Sequence, residues 1–230
     1  MKRRIRFFMI LAAGGILCQC GCRQVEMYFE GYRSRALPFP PTRGGQTVAV
    51  AVGTEPAEPL LEAEVAAKIS YLLREQGYRV KEKAEATYLL SCWFGMDPAE
   101  TFSGVMPIYE PGKVISTPVR TRRGHWRSVH TYLPGSTHYV PYSYTVYPKF
   151  VSLTLHDNEL WAKSEEDTHA EAVIWRGTSV NADESTDLRW RLNHLLLACF
   201  KYWGQETIKQ QRIWMGEEAE PVKELTEAIR

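Results

Sequence analysis

Catalytic signatures are missing from this sequence. It has no Gly-x-Ser-x-Gly elbow and no Ser-x-x-Lys, so the usual routes to an activated serine are absent. It has no His-Glu-x-x-His for a zinc peptidase, and no glycine-rich loop follows its first strand for a nucleotide phosphate. His125, His130 and His138 fall in one region but match no metal-ligand spacing. His156-Asp157-Asn158-Glu159 reads as a strand ending in a turn, and Glu165-Glu166-Asp167 as a solvated loop. No cofactor or metal is expected, and an enzyme would need a site assembled from scattered residues. Charge of one sign is lacking too. The formal net charge is +1, and removing the first 21 residues with Lys2, Arg3, Arg4 and Arg6 turns it into −3. A mildly acidic chain is a poor general binder of polyanions, so nucleic acid is not an expected partner. Cysteine is sparse as well. Of five, only Cys92 and Cys199 lie beyond residue 22, and a chain of 230 residues buries a core without needing disulfides.

What is present begins at the N-terminus. Lys2-Arg3-Arg4-Ile5-Arg6 is a basic start, and Phe7 to Leu17 is an apolar stretch. As a helix that stretch covers roughly 16 Å of a hydrocarbon layer about 30 Å thick. It therefore suits the hydrophobic region of an export signal better than a membrane span. The following Leu17-Cys18-Gln19-Cys20-Gly21-Cys22 resembles the lipobox of bacterial lipoproteins, whose cysteine becomes the lipidated first residue. Cys22 has the favoured small residue before it but Gln19 in the aliphatic place. Cys20 has Leu17 in that place but Gln19 directly before it. Cys22 is the preferred lipidation site and Cys20 the alternative. The resemblance implies residues 1–21 as signal peptide and export to a periplasm-facing membrane anchor. Arg23 is not the Asp associated with inner-membrane retention, which favours the outer membrane.

Residues 22–46 read as an extended tether, stiffened by Leu37-Pro38-Phe39-Pro40-Pro41 and loosened by Gly44-Gly45. A single α/β domain is expected over 47–204. Thr47 to Gly53 is an apolar strand buried on both faces. Pro59 opens a helix whose stripe is Leu61, Val65, Ile69, Leu72 and Leu73, and Gly77 stops it. Tyr78 to Lys81 starts a second strand, which makes a parallel crossover unit. Further strands are expected at Thr87–Gly95, Val151–Leu155 and Ala170–Val180. A closing helix carries Leu188, Leu192, Leu195, Leu196, Cys199 and Trp203, with cap candidates between Asp183 and Asp187. The predicted fold is a two-layer α/β (α+β) sandwich: a mixed sheet of about five strands with two main helices on one face. Residues 205–230 read as a charged tail, with a frayed or separate helix as the alternative. This element order, with Gly77-Tyr78 before a strand and Ile174-Trp175-Arg176-Gly177 in the last one, resembles uncharacterised bacterial envelope lipoprotein domains. That class implies no particular activity.

An insertion at about 96–148 is the distinctive region. It is rich in proline and places Arg120, Arg122, Arg123 and Arg127 around Trp126, followed by Tyr132, Tyr139, Tyr142, Tyr144 and Tyr147. Basic residues among aromatics can stack on sugar rings, which makes Arg120, Arg122, Arg123, Trp126, Arg127, Tyr132, Tyr139 and Tyr142 the candidate binding surface. The plainer reading is a long hairpin whose tyrosines alternate as strand residues do. Cys92 on a strand and Cys199 on the closing helix form a disulfide if that helix covers that face, and otherwise are two buried thiols. The functional expectation is an exported, membrane-anchored lipoprotein with a non-enzymatic binding or assembly role. A glycan- or peptidoglycan-binding module is the alternative and a hydrolase with an unrecognised site the third reading. The expected partners are the membrane, through the N-terminal lipid, and an envelope protein or cell-wall glycan.

Overall fold

The computed structural model describes residues 24–41, 45–54, 58–164 and 166–228. The signal and both candidate lipidation cysteines lie outside the described residues. The first element is a strand where a tether was expected. β1 (Gln24–Arg33) alternates with a period of two: Val25, Met27 and Phe29 are buried while Glu26, Tyr28 and Glu30 are half-buried on the other face. That alternation is the pattern of a strand with one face on a core. The proline-rich stretch behind it is strapped to the same core. Leu37 and Phe39 pack against it, Phe39 sits edge-on to Trp203 at 5.7 Å, and the Tyr78 hydroxyl donates to the Pro40 carbonyl at 3.0 Å.

β2 (Thr47–Thr54), α1 (Pro59–Glu75), β3 (Arg79–Val80) and β4 (Tyr88–Met96) form the expected crossover unit, with β2 parallel to both β3 and β4. α1 starts with proline at its first turn, buries Val65, Ile69, Leu72 and Leu73, and gives way to Gly77 at φ +87°. The insertion is β5 (Glu100–Glu110), β6 (Lys113–Arg120), β7 (Trp126–Leu133) and the first half of β8 (Ser136–Asp157). β8 then runs into the sheet beside β4. α2 (Asn158–Lys163), β9 (Val173–Asp183) and α3 (Leu188–Lys201) follow. The end of the chain is no loose tail. β10 (Gln211–Gly216) pairs with β1 and buries Ile213, and α4 (Glu220–Glu227) buries Val222 and Leu225.

Among the described residues the main sheet has eight strands, not about five, in the order β10-β1-β9-β8-β4-β2-β3, with β5 joined to β8. Apart from the β2 pairings it is antiparallel. The fold is α+β with a mixed sheet, as expected, but with four helices rather than two main ones. α1 and α3 bury Leu90, Cys92, Phe94, Val151, Leu153 and Leu155 on one face. On the other face α2 brings Trp161 over Ala49, Ala86 and Leu89. Gly31 and Gly177 are cross-strand partners in β1 and β9. A Cβ on Gly177 would meet the Trp175 ring at 2.3 Å, and one on Gly31 would meet the Gln205 carbonyl at 2.6 Å. The pair leaves room for a fully buried tryptophan. Cys92 and Cys199 are both buried and both free, so the disulfide is not formed. Each thiol is already packed among apolar neighbours in the same core.

Tyr28, Val180, Phe150 and Gly95 make one row across β1, β9, β8 and β4. The start of β1, the end of β4, the end of β9 and the root of the insertion all lie at the same end of the sheet.

Candidate functional site

The insertion is a single hairpin in two paired segments. The basal segment joins β5 to β8 from Glu100↔Val146 to Glu110↔Ser136, and the distal one joins β6 to β7 from Lys113↔Leu133 to Arg120↔Trp126. Pro111-Gly112 and Pro134-Gly135 separate them. At about 3.3 Å per residue, Glu100 to Arg120 traces up to ~70 Å of strand. At the tip, the Thr121 N–H donates to the His125 carbonyl at 2.8 Å and Gly124 takes φ +84°. Every residue of β6 and β7 is exposed, on both faces of the ribbon.

The eight candidate surface residues do not converge. Arg120 and Trp126 are cross-strand neighbours on one face of the distal segment, and Tyr132 shares that face six residues along. Arg127 points to the opposite face, and Arg122 and Arg123 belong to the turn. Tyr139 and Tyr142 lie on opposite faces of the basal segment, because strand residues an odd number apart alternate. His125, His130 and His138 are likewise strung from the tip to the basal segment. Among the described residues no group of three metal-ligating side chains forms.

The basal segment is sorted by face instead. One side carries Phe102, Gly104, Met106 and Ile108 opposite Tyr144, Tyr142, Val140 and His138. Phe102 stacks on Tyr144 at 5.5 Å, and Tyr144 on Tyr142 at 6.2 Å. The Tyr142 ring covers Gly104, where a Cβ would meet its hydroxyl at 2.8 Å. The other side carries Thr101, Ser103, Val105, Pro107 and Tyr109 opposite Thr145, Ser143, Pro141, Tyr139 and Thr137. There Thr101 and Thr145 share a hydrogen bond at 3.0 Å.

At the root of the hairpin lies a buried charge network that sequence reasoning missed. Lys149 is wholly buried, and its ammonium donates to Asp183 Oδ1 at 2.5 Å, to the Ser185 carbonyl at 2.5 Å and to the Tyr147 carbonyl at 3.4 Å. Arg191 on α3 donates to Asp183 Oδ2 at 2.5 Å and to Glu217 Oε1 at 3.3 Å. Burial opposes ionisation of Asp183, but hydrogen bonds from Lys149 and Arg191 outweigh it and hold the carboxyl below its ordinary range. The available signal was a lysine in the core-facing register of Val151, Leu153 and Leu155. The network ties β8, β9, α3 and the β10–α4 turn together. Its charges are consumed by each other, so it offers no free acid or base. Burial, then the Arg176 and His169 charges, pushes His156 down to about 4. Burial pushes the Cys92 thiol up, and Cys199 up to about 12. Neither thiol is a reactive nucleophile near neutral pH.

Two shallow grooves flank Arg189, each about 900 Å³. One lies among α1, α3 and α4 and the other at the start of α1, and they share Glu64, Asp187 and Arg189. Glu64 is paired with Lys68 and Arg189, both at 2.6 Å, so the carboxylate in the shared wall is already engaged. No described helix is long and apolar enough to cross a membrane.

No protein-family model and no curated protein sequence matches this chain. Among solved structures, it is similar to a PDZ domain protein from Parabacteroides distasonis, at 13% identity and a TM-score of 0.40 over 83% of this chain. The chain spans 39% of that protein's length. It is also similar to the PelC dodecamer from Paraburkholderia phytofirmans, at 13% identity and a TM-score of 0.39 over 79% of this chain and 99% of that one. Neither likeness is close enough to bear on function.

Proposed function

We propose that this is an exported protein held at a periplasm-facing bacterial membrane by lipid on Cys22, or on Cys20, with a domain that acts by assembly rather than catalysis. The supporting observation is the hairpin, a long ribbon exposed on both faces and unpaired along both edges. A two-stranded ribbon is marginal alone in water, and exposed strand edges are templates for further pairing. A domain that holds such an arm out from a core sealed by buried ion pairs is equipped to join something. The anchor rests on the basic and apolar N-terminus and on the lipobox-like cysteines, and the absence of Asp at position 23 favours the outer membrane.

Intact-mass analysis of the protein extracted from membranes tests the anchor. A lipid-modified N-terminal cysteine is expected, and an unmodified N-terminus at any other residue rejects it. A glycan-binding reading has one observation in its favour: Trp126 is 68% exposed beside Arg120. It predicts retention on isolated cell wall that Trp126→Ala abolishes. Retention unchanged by that substitution removes it.

A further inference from the structure

We infer that the basal segment of the hairpin crosses a lipid bilayer, as two strands of a barrel closed by further copies of this chain. This rests on the lipid anchor proposed above. Four observations converge on it.

The first is charge. Between Glu100 and Glu110 there is no Asp, Glu, Lys or Arg, and between Ser136 and Pro148 there is none either. The distal segment is the opposite. From Pro111 to Leu133 it has Lys113, Arg120, Arg122, Arg123 and Arg127 and no acid at all. The second is length. The nine residues 101–109 cover about 30 Å as a strand, or roughly 23 Å when tilted by 40°. Membrane strands need about 9–11 residues to span an apolar band about 25 Å tall.

The third is the sorting of the two faces. Phe102, Met106, Ile108, Val140, Tyr142 and Tyr144 dominate one face and suit acyl chains, with His138 at its far end beside Glu110. The other face is polar at the root, with Thr101, Ser103, Ser143 and Thr145, and carries Val105, Pro107, Tyr109, Tyr139 and Pro141 further out. Over the root half, that alternation is the pattern of strands with lipid on one side only. The fourth is position. The hairpin root and the start of β1 share one end of the sheet. Cys22 stands two residues before Gln24, a chain length of at most ~7 Å. Lipid on Cys22 therefore sets the membrane surface at the end of the domain from which the hairpin leaves.

Copies are required by hydrogen bonding. Among the described residues β5 has no second partner, and β8 acquires its other partner only from Tyr147 onward. Open sheet edges are not tolerated in hydrocarbon, so the ribbon enters lipid only if its β5 edge pairs with the β8 edge of a neighbour and the series closes. Such a contact is head-to-tail and makes a ring. A proline in a paired strand keeps its nitrogen away from its partner, so Pro107 and Pro141 each remove one donor from a free edge. The remaining positions set the register of the added strand. The basic distal segment lies beyond the far side of the apolar layer, at the headgroups.

The test uses the full lipidated chain in vesicles of phosphatidylethanolamine and phosphatidylglycerol, with domain-out vesicles captured through a C-terminal tag. External trypsin cuts after Arg120, Arg122, Arg123 and Arg127 at least tenfold more slowly in vesicles than in detergent. Chemical cross-linking gives a ladder beyond the dimer. Met106→Arg, on the lipid face, abolishes the protection, whereas Ser103→Arg, on the polar face, retains it. Both variants keep the melting temperature of the domain, because neither residue belongs to the core. Cleavage at equal rates in vesicles and detergent, a cross-linked species no larger than a dimer, or identical behaviour of the two variants overturns the inference. Intact mass on the same sample reports the lipid separately, so a lipidated protein with an unprotected arm rejects the barrel and leaves the anchor standing.

Discussion

Lys149 occupies a position where its neighbours in β8 are Val151, Leu153 and Leu155. It is tolerated there because all three ammonium protons have acceptors and Asp183 supplies the opposite charge. Breaking a buried pair by removing one partner costs more than replacing both, since the survivor stays desolvated and unpaired. Asp183→Asn is therefore expected to lower unfolding free energy by about 3–5 kcal/mol in urea titrations at neutral pH. Lys149→Met, which leaves Asp183 still paired with Arg191, is expected to cost less. An equal or reversed order counts against the network. His156 adds a pH dependence. Its folded pKa of about 4 lies below its ordinary value of 6.5, so the unfolded chain binds more protons between those limits. Stability is full above pH 6.5 and falls as the pH drops toward 4, with about 2 kcal/mol lost by pH 5. His156→Leu removes most of that loss, as denaturant titrations at pH 7 and pH 5 will register. The Asp183 contribution fades only at lower pH, as the carboxyl protonates below the ordinary carboxylate range.

Among the elements, β1 separates the two possible designs most sharply. A chain starting at Thr47 loses only a leash if residues 24–46 are a tether. In the sheet it loses the strand between β10 and β9, leaves β10 and α4 without a partner strand, and strips Met27 and Phe29 from the core. The truncated chain is expected to lack cooperative thermal unfolding by circular dichroism. A melting transition like that of the longer chain would restore the tether. The helices α1 and α3 were legible because their stripes are long and their stop signals, Gly77 and Gly204, are glycines at positive φ. β1 was legible in principle from Val25, Met27 and Phe29, but the prolines that follow it suggested an extended linker. Those prolines are extended, yet they lie on the core. Extended backbone and free backbone read alike in sequence. β10 was lost for a related reason: Gln211-Arg212-Ile213-Trp214 buries a single small stripe at a sheet edge, too short a pattern to stand out from a charged tail.

At the scale of the whole molecule, core and arm are energetically separate. β6 and β7 bury nothing, and among the described residues β5 pairs with β8 alone. Replacing residues 101–145 with a two-residue turn is expected to leave the melting temperature within a few degrees of the parent. The same replacement abolishes any assembly larger than a dimer in cross-linking. A large loss of stability would mean that the arm folds back on the domain. Charge divides along the same line: no acid lies between Glu110 and Asp157, and Glu100 and Glu110 at the two ends of β5 are the acids of the arm.

Local chemistry already determined much of this protein. Hydrophobic periodicity marked α1, β2, β4 and α3, and the N-terminal residues carry the expectation of export. Proline, tyrosine and arginine marked the insertion as distinct, and alternation marked it as a hairpin. Those features depend on near neighbours, and near neighbours are visible in a line of letters. Tertiary structure alone decided the rest. It made a tether into a strand inside the sheet, between β10 and β9, and it showed that the candidate aromatic surface is spread over opposite faces of a long ribbon. It left Cys92 and Cys199 as separate buried thiols and paired Lys149 with Asp183, 34 positions away. It also set the start of β1 and the root of the hairpin at one end of the sheet. Each of these depends on which strands become neighbours, and strand order is settled by burial summed over the whole chain rather than by any local pattern.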